Sequence, residues 1–309
     1  MNRRPLVLLL LADAWIDVDE ARHLVGDRCT VSVNRKDYGW ADAVIYPTPV
    51  LGDWLSSERA FSEQLWVQWS QESAIHYPLL LHDAGFNGRF DLRMTYRLDS
   101  DVPIPYLAPD IFDSLPPIVP TAQRQEVAVS AWISSPWDRC GRDNLLLALM
   151  DELPTHSYGK VGRNCELAED TGHDTKLATI RQYRFTLAFE NSMTPDYVTE
   201  KFFQPLLVGS VPIYRGAPNV AEFAPAPHSY IDASNFNGPA ELAGFLSAMT
   251  DAEYASHHAW RTDGPTHDWR ARFAPFATPA FVRLAHAVEA VAIGRRAAAT
   301  NDRAGLPPR

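Results

Sequence analysis

The segment from residue 185 to 216 reads FTLAFENSMTPDYVTEKFFQPLLVGSVPIYRG. It holds a dense group of side chains able to bind an anion. Glu190, Asn191 and Ser192 follow the apolar run FTLAF, at the carboxyl end of a predicted buried strand, where open α/β sheets bind ligands. Thr194-Pro195 predicts a helix start, with Thr as N-cap and Pro at the first helical position. On that helix Tyr197, Glu200 and Lys201 stand at i, i+3 and i+4 and share one face. Val198, Phe202 and Leu206 form a second, apolar stripe toward the core. A helix N-terminus offers partial positive charge and free N–H groups, and Lys201 adds a full charge. Together they suit a phosphate. A solvated Glu–Lys pair on an ordinary helix fits the same spacing.

These groups need a scaffold. Short β-type runs at 6–11, 30–33, 43–46, 65–69 and 92–96 predict five strands separated by helical or loop segments, the pattern of a parallel α/β sheet. The pattern restarts at 127–134 and continues at 155–159, 185–189 and 211–214. A leucine-rich helix opens at Gly141-Arg142 and runs to Glu152, and another spans about 176–183. Pro103, Pro105, Pro109, Pro116, Pro117 and Pro120 resist regular structure and place a linker at 107–125. The expected plan is one domain at 1–120, a second at 121–277, and a helix and tail at 278–309, disordered from Asn301. Pro205 should kink or shorten its helix, at about 3 kcal/mol. Gly216, after the last strand, would let the backbone approach a ligand closely.

With 309 residues, 46% hydrophobic and 21% charged, the chain is long enough for two full cores. A formal net charge of −10 argues against nucleic acid as a partner. No GxGxxG follows the first strand, which argues against a dinucleotide oxidoreductase. Cys29, Cys140 and Cys165 are too few and scattered for a disulfide framework or zinc cluster, so a cytoplasmic location is expected. No stretch is long and apolar enough to span a membrane. The tail arginines support at most weak peripheral contact with an anionic membrane such as the bacterial inner membrane. The adjacent His257 and His258 point about 100° apart on a helix and read as a surface pair.

The ordered run FENS, DYVTEKF and GSVPIYRGAPNV resembles the signature of the α-1,3-fucosyltransferases of glycosyltransferase family 10, which move L-fucose from GDP-fucose to a sugar hydroxyl. QLWVQWSQES (64–73), FNGRFDLRMTYRLDSDVPIPY (86–106), SYID (229–232) and YASHHAWR (254–261) resemble other parts of the same family. The resemblance covers about 64–106 and 127–261 and is dense only in 185–232. It implies a bacterial-type soluble member with two Rossmann-like domains facing a cleft, the GT-B arrangement. The acceptor would lie in the first lobe and GDP-fucose in the second.

It also implies residue roles. The family's general base falls on Glu72, which would take the acceptor proton in an inverting displacement. Relatives usually have Pro after the following Ser, where this chain has Ala74. Arg142, with Arg139 as a weaker neighbour, falls where the family binds donor phosphates, and a guanidinium forks well onto two phosphate oxygens. Arg142 and Lys201 would stabilise the leaving GDP. Asn191, Ser192, Tyr197 and Glu200 would hold the donor, Glu200 serving its hydroxyls or the cationic sugar carbon, so that Glu72 and Glu200 form the catalytic pair. Asp99-Ser100-Asp101 fits a DxD pattern that holds a divalent metal in another glycosyltransferase architecture. Here both carboxylates are expected to bond backbone N–H groups of their loop. No metal is required, and divalent stimulation stays open. By analogy the acceptor is a glycan bearing N-acetylglucosamine, such as a surface polysaccharide. Two rivals remain: a transferase for another nucleotide sugar, and a catalytically silent sugar-nucleotide-binding protein.

Overall fold

The computed structural model describes residues 6–11, 16–50, 58–77, 80 and 83–304. The chain separates into two compact units. One joins residues 1–104 to 278–309, and the other spans 105–277.

The first unit is built on a parallel sheet of β1 (Leu6–Leu10), β2 (Cys29–Ser32), β3 (Ala43–Pro47), β4 (Leu65–Ser70) and β5 (Leu92–Thr95). Its order is β2-β1-β3-β4-β5, with Leu9 beside Ser32 and Val44, and Val67 beside Ile45 and Leu92. β3 and β4 are buried along their whole length, which is why they are mostly apolar on both faces rather than alternating. Asp17 caps the helix Val18–Val25, accepting from the N–H groups of Asp19 and Glu20. The terminal helix Ala280–Ala304 completes the core of this unit. Its Phe281, Leu284 and Val288 are buried in one cluster with Leu8, Ile45, Val67 and Trp69. Arg283 ties the helix to the Pro103 carbonyl at 2.7 Å. Residues 301–304 continue this helix, against the expected disorder from Asn301, and 305–309 lie outside the described residues.

The second unit carries β6 (Val129–Ala131), β7 (Thr155–Ser157), β8 (Phe185–Phe189), β9 (Val211–Arg215) and β10 (Ile231–Asp232). They are also parallel, in the order β10-β9-β8-β6-β7. The order reverses at β6, which lies between β7 and β8, so the binding crevice of this sheet is expected at the carboxyl ends of β6 and β8. Leu146 and Leu149 of the helix Arg142–Glu152 pack with Phe185, Leu187, Val211 and Leu246.

The proline-rich segment is no free linker. From Pro105 it belongs to the second unit. Phe112 packs edge-on to Trp260 at 5.0 Å and lies 5.4 Å from Trp269. Arg261 donates to the Pro116 carbonyl at 2.7 Å. Arg124 reaches the carbonyls of Val119, Tyr183 and Gly209. Prolines here remove backbone donors; Arg261 and Arg181 take up the carbonyls of Pro116 and Pro117 from outside, while Arg124 ties the segment's end to Tyr183 and Gly209. His257 and His258 are half-buried rather than a surface pair. Burial, then Arg124 and Arg261, push His258 down to about 3, so it is neutral. Among the described residues no single helix is long and apolar enough to cross a membrane.

Candidate active site

The site of the second unit starts where β8 ends. The N–H of Glu190 donates to the Arg215 carbonyl at 2.8 Å, carrying the ladder one step further. The Glu190 side chain is fully buried. One carboxylate oxygen accepts from the Thr199 N–H at 2.7 Å and the other from the Thr199 hydroxyl at 2.9 Å. Thr199 is the N-cap of the helix Glu200–Val208 and accepts from the Lys201 N–H. Lys201 Nζ donates to Thr199 Oγ1 and to Glu200 Oε1, both at 3.1 Å, and stands 3.7 Å from Glu190.

Burial and charge pull these groups in different directions. Burial pushes Glu190 up to about 7, with Lys201 opposing and Glu200 adding to the rise. Burial also works against charge on Lys201, but Glu190 and Glu200 outweigh it and hold the ammonium above its ordinary value. For Glu200, burial is outweighed by Lys201 and then Lys176, so its carboxyl stays below the usual range.

The helix begins later than Thr194-Pro195 predicts. Asp196 has a left-handed φ of 66°. It is fixed by a reciprocal pair with Asn219: its N–H donates to Oδ1 at 2.9 Å, and Asn219 Nδ2 donates to its carboxylate at 2.8 Å. Residues 194–197 therefore close a turn, the Tyr197 N–H reaching the Thr194 carbonyl at 3.2 Å. Tyr197 precedes the helix and does not share a helical face with Glu200 and Lys201. Its buried ring meets Tyr106 edge-on at 6.0 Å. Val198 is buried in the same turn, while Phe202 and Leu206 keep the expected apolar stripe.

Asn191 and Ser192 are buried directly after Glu190. The Asn191 side-chain carbonyl has no hydrogen-bond partner among the described residues, an arrangement that costs free energy while it stays unbonded. Gly216 closes the site from β9. A Cβ there would collide with the Tyr214 hydroxyl and with Glu190 Cγ. The glycine makes room for Glu190 rather than for a ligand, as the sequence had suggested.

Arg142 opens its helix as expected, after Gly141 at φ 71°. Its side chain is only 1% exposed, and it donates to the carbonyls of Ser135 and Trp137 at 2.9 and 3.0 Å. It is close enough to Lys201 to disfavour charge there. The helix start is already served by Asp138, whose carboxylate accepts from the N–H groups of Cys140, Arg142 and Asp143. Burial disfavours its charge, but those bonds outweigh it and hold it below the usual carboxyl range.

Two participants escaped sequence reasoning. Glu190 was read only as the first polar residue after a strand, although a carboxylate directly after a wholly apolar run is itself a signal of forced burial. Lys176, on the helix His173–Ile180, had no local signal. It feels the attraction of Glu200 and the repulsion of Lys201.

In the first unit Glu72 follows β4. Its N–H donates to Ser70 Oγ at 3.1 Å, and that hydroxyl donates back to the Glu72 carbonyl. Glu72 borders a pocket of about 240 Å³ at the carboxyl ends of β4 and β5, with Gln68, Asn87, Arg93, Thr95 and Arg97. Asp101 accepts a backbone N–H, but that of Arg93 in β5 rather than one of its own loop, at 2.7 Å. Asp99 instead takes the guanidinium fork of Arg97 at 2.9 and 3.0 Å. Among the described residues no group of three or more His, Cys, Asp and Glu could hold a metal ion.

Two family models match the chain: "Fucosyltransferase, N-terminal" over residues 3–107, and "Glycosyltransferase family 10 (fucosyltransferase) C-term" over 122–292. A putative fucosyltransferase-like protein of Arabidopsis thaliana is 37% identical, over 65% of this chain and 39% of its own length. The α-(1,3)-fucosyltransferase 7 of Rattus norvegicus is 32% identical, over 86% of this chain and 73% of its own. The chain thus spans well under half of the plant relative. A crystal structure of an α1,3-fucosyltransferase superposes with a TM-score of 0.63 at 19% identity, covering 94% of this chain and 91% of that one. That likeness shows the fold, the two-sheet GT-B arrangement.

Proposed function

The chain belongs to glycosyltransferase family 10, and from that premise we propose that it transfers L-fucose from GDP-fucose to a hydroxyl of an N-acetylglucosamine-containing glycan, as an α-1,3-fucosyltransferase. The observation that carries this reading is the cluster of Glu190, Thr199, Glu200 and Lys201 beside the unpartnered side-chain carbonyl of Asn191, at the carboxyl end of β8. Its place at the switch point of a parallel sheet suits a nucleotide. A structural relative of TM-score 0.53 is an α1,3-fucosyltransferase with GDP-fucose, which supports the choice of donor.

The reaction is an inverting single displacement. The Glu72 carboxylate takes the acceptor's hydroxyl proton while that oxygen forms the new bond to the sugar carbon. The carbon–oxygen bond to the diphosphate breaks on the opposite face, and GDP leaves with the electron pair. Lys201 and Arg142 meet the charge gathering on it, the kind of effect that is usually largest in catalysis. Asn191, Ser192 and Tyr197 hold the donor, and Glu200 faces its hydroxyls or the cationic sugar carbon. Protein cations meet the donor's charge, so we assign no resident metal; the same assay with added Mg²⁺ or chelator reads any stimulation. Cys29, Cys140 and Cys165 are free thiols, which suits a reducing compartment such as the cytoplasm.

The test is mass spectrometry of N-acetyllactosamine after incubation with GDP-fucose and the purified protein, with GDP release followed in parallel. A product heavier by one deoxyhexose is the expected result. Release of GDP without that product would reject the acceptor. No binding of GDP-fucose would reject the donor.

A further inference from the structure

Lys176 stands apart from the cations that the reaction already employs. It lies on the helix His173–Ile180, which packs against the helix Glu200–Val208. His173 Nδ1 and Gln204 Nε2 meet between these helices at 3.4 Å. The Lys176 side chain is half-buried, and its Nζ lies 6.0 Å from the centroid of the Trp132 ring. Trp132 follows β6 and is stacked on Tyr158 at 4.6 Å and 15°, so the ammonium rests over a fixed aromatic pair at the carboxyl edge of the sheet. Such a contact holds a cation by only about 0.5–1 kcal/mol when exposed. Among the described residues, Lys176 Nζ makes no hydrogen bond and no ion pair. An ammonium has three donors to satisfy.

The neighbouring cations have close carboxylates of their own. Arg142 pairs with Asp143 at 3.3 Å and Lys201 with Glu200 at 3.1 Å, whereas Lys176 feels Glu200 only through space. Its half-buried ammonium keeps its donors for an arriving anion. We propose that Lys176 is a further donor-binding cation, its ammonium meeting the diphosphate of the nucleotide sugar alongside Lys201. This rests on the GDP-fucose reading of the site.

The experiment is calorimetric titration of GDP and of GMP into the whole protein, as wild type, Lys176→Ala, Lys176→Arg and Lys201→Ala, with melting temperatures for each. Losing a charge-assisted bond predicts that Lys176→Ala weakens GDP about 10–100-fold, weakens GMP much less, and keeps its melting temperature. Lys176→Arg restores most of the GDP affinity. Equal weakening of GDP and GMP would make the role structural and overturn the inference. So would unchanged GDP binding in Lys176→Ala while Lys201→Ala loses it, with the donor reading left standing. Should Lys176→Ala not fold, Lys176→Arg decides: loss of GDP affinity in a folded protein overturns the inference. A wild type that binds no GDP would overturn the donor reading as well.

Discussion

The two units share one architecture, a five-stranded parallel sheet whose strand order reverses beside the first strand in sequence, yet they place chemistry in different ways. In the second unit the functional groups lie at the reversal, after β8 and β6. Glu190 and Thr199 are buried, Glu200 and Lys201 half-buried, and they hold one another: Glu190 through Thr199, Lys201 through Glu200. In the first unit Glu72 follows β4, away from the reversal, half-buried on a rim of polar side chains. The contrast fits the two tasks proposed for them. Neutralising a leaving diphosphate rewards fixed charges in a dry place, where they act strongly. Accepting a proton rewards a carboxylate that an incoming hydroxyl can reach.

The sharpest way to break that division is to remove one group from each side. Glu72→Gln should lower transfer by about 10²–10⁴-fold and leave GDP affinity as it is. GDP binding that falls with it, or transfer near normal, would end the assignment of the base. Lys201→Ala should lose donor affinity and turnover together, about 10²-fold for a half-buried charged contact. A loss confined to turnover would move Lys201 off the ground-state donor.

A milder test sets steric closeness in one unit against openness in the other. Gly216→Ala pushes a methyl group into Glu190 and Tyr214 and should cost roughly 1–3 kcal/mol of stability, read from urea unfolding. An unchanged midpoint would mean that Glu190 is not held as described. The smallest effect is on pH dependence. Folded Glu190 titrates at about 7 against an ordinary 4.5. Between those values the folded state binds more protons than the unfolded one. Its contribution to stability is therefore full below 4.5 and lost as pH rises through 7. Glu190→Gln should flatten the stability curve over that window and gain on the wild type as pH rises. Parallel curves from pH 5 to 8 would contradict the burial argument.

The strands were legible because parallel strands buried on both faces leave unbroken apolar runs. The run 185–189 matches β8 at both ends, and 6–11 and 65–69 needed one end adjusted by a residue. The start of the helix carrying Glu200 was not legible. Thr194-Pro195 and Thr199 offer similar local signals, and the choice is made by Asn219, which locks Asp196 from 23 residues away. Lys176 was invisible for a similar reason: its meaning arises only when its helix packs beside Glu200 and Lys201. Glu200, Lys201 and Asn191 were legible because they sit next to the strand and cap that present them. Gly216 was legible as a close approach, but its neighbour was not.

The terminal helix has a consequence for synthesis. Phe281, Leu284 and Val288 fill the core of the unit that the chain begins with. As the chain leaves the ribosome, the strands β1 to β5 emerge ahead of the second unit and wait with that core open. The second unit, continuous from 105 to 277, has all of its residues in hand sooner. The half translated first is thus the half completed last, and until residue 288 appears its exposed Leu8, Ile45 and Val67 are the surface a chaperone would recognise.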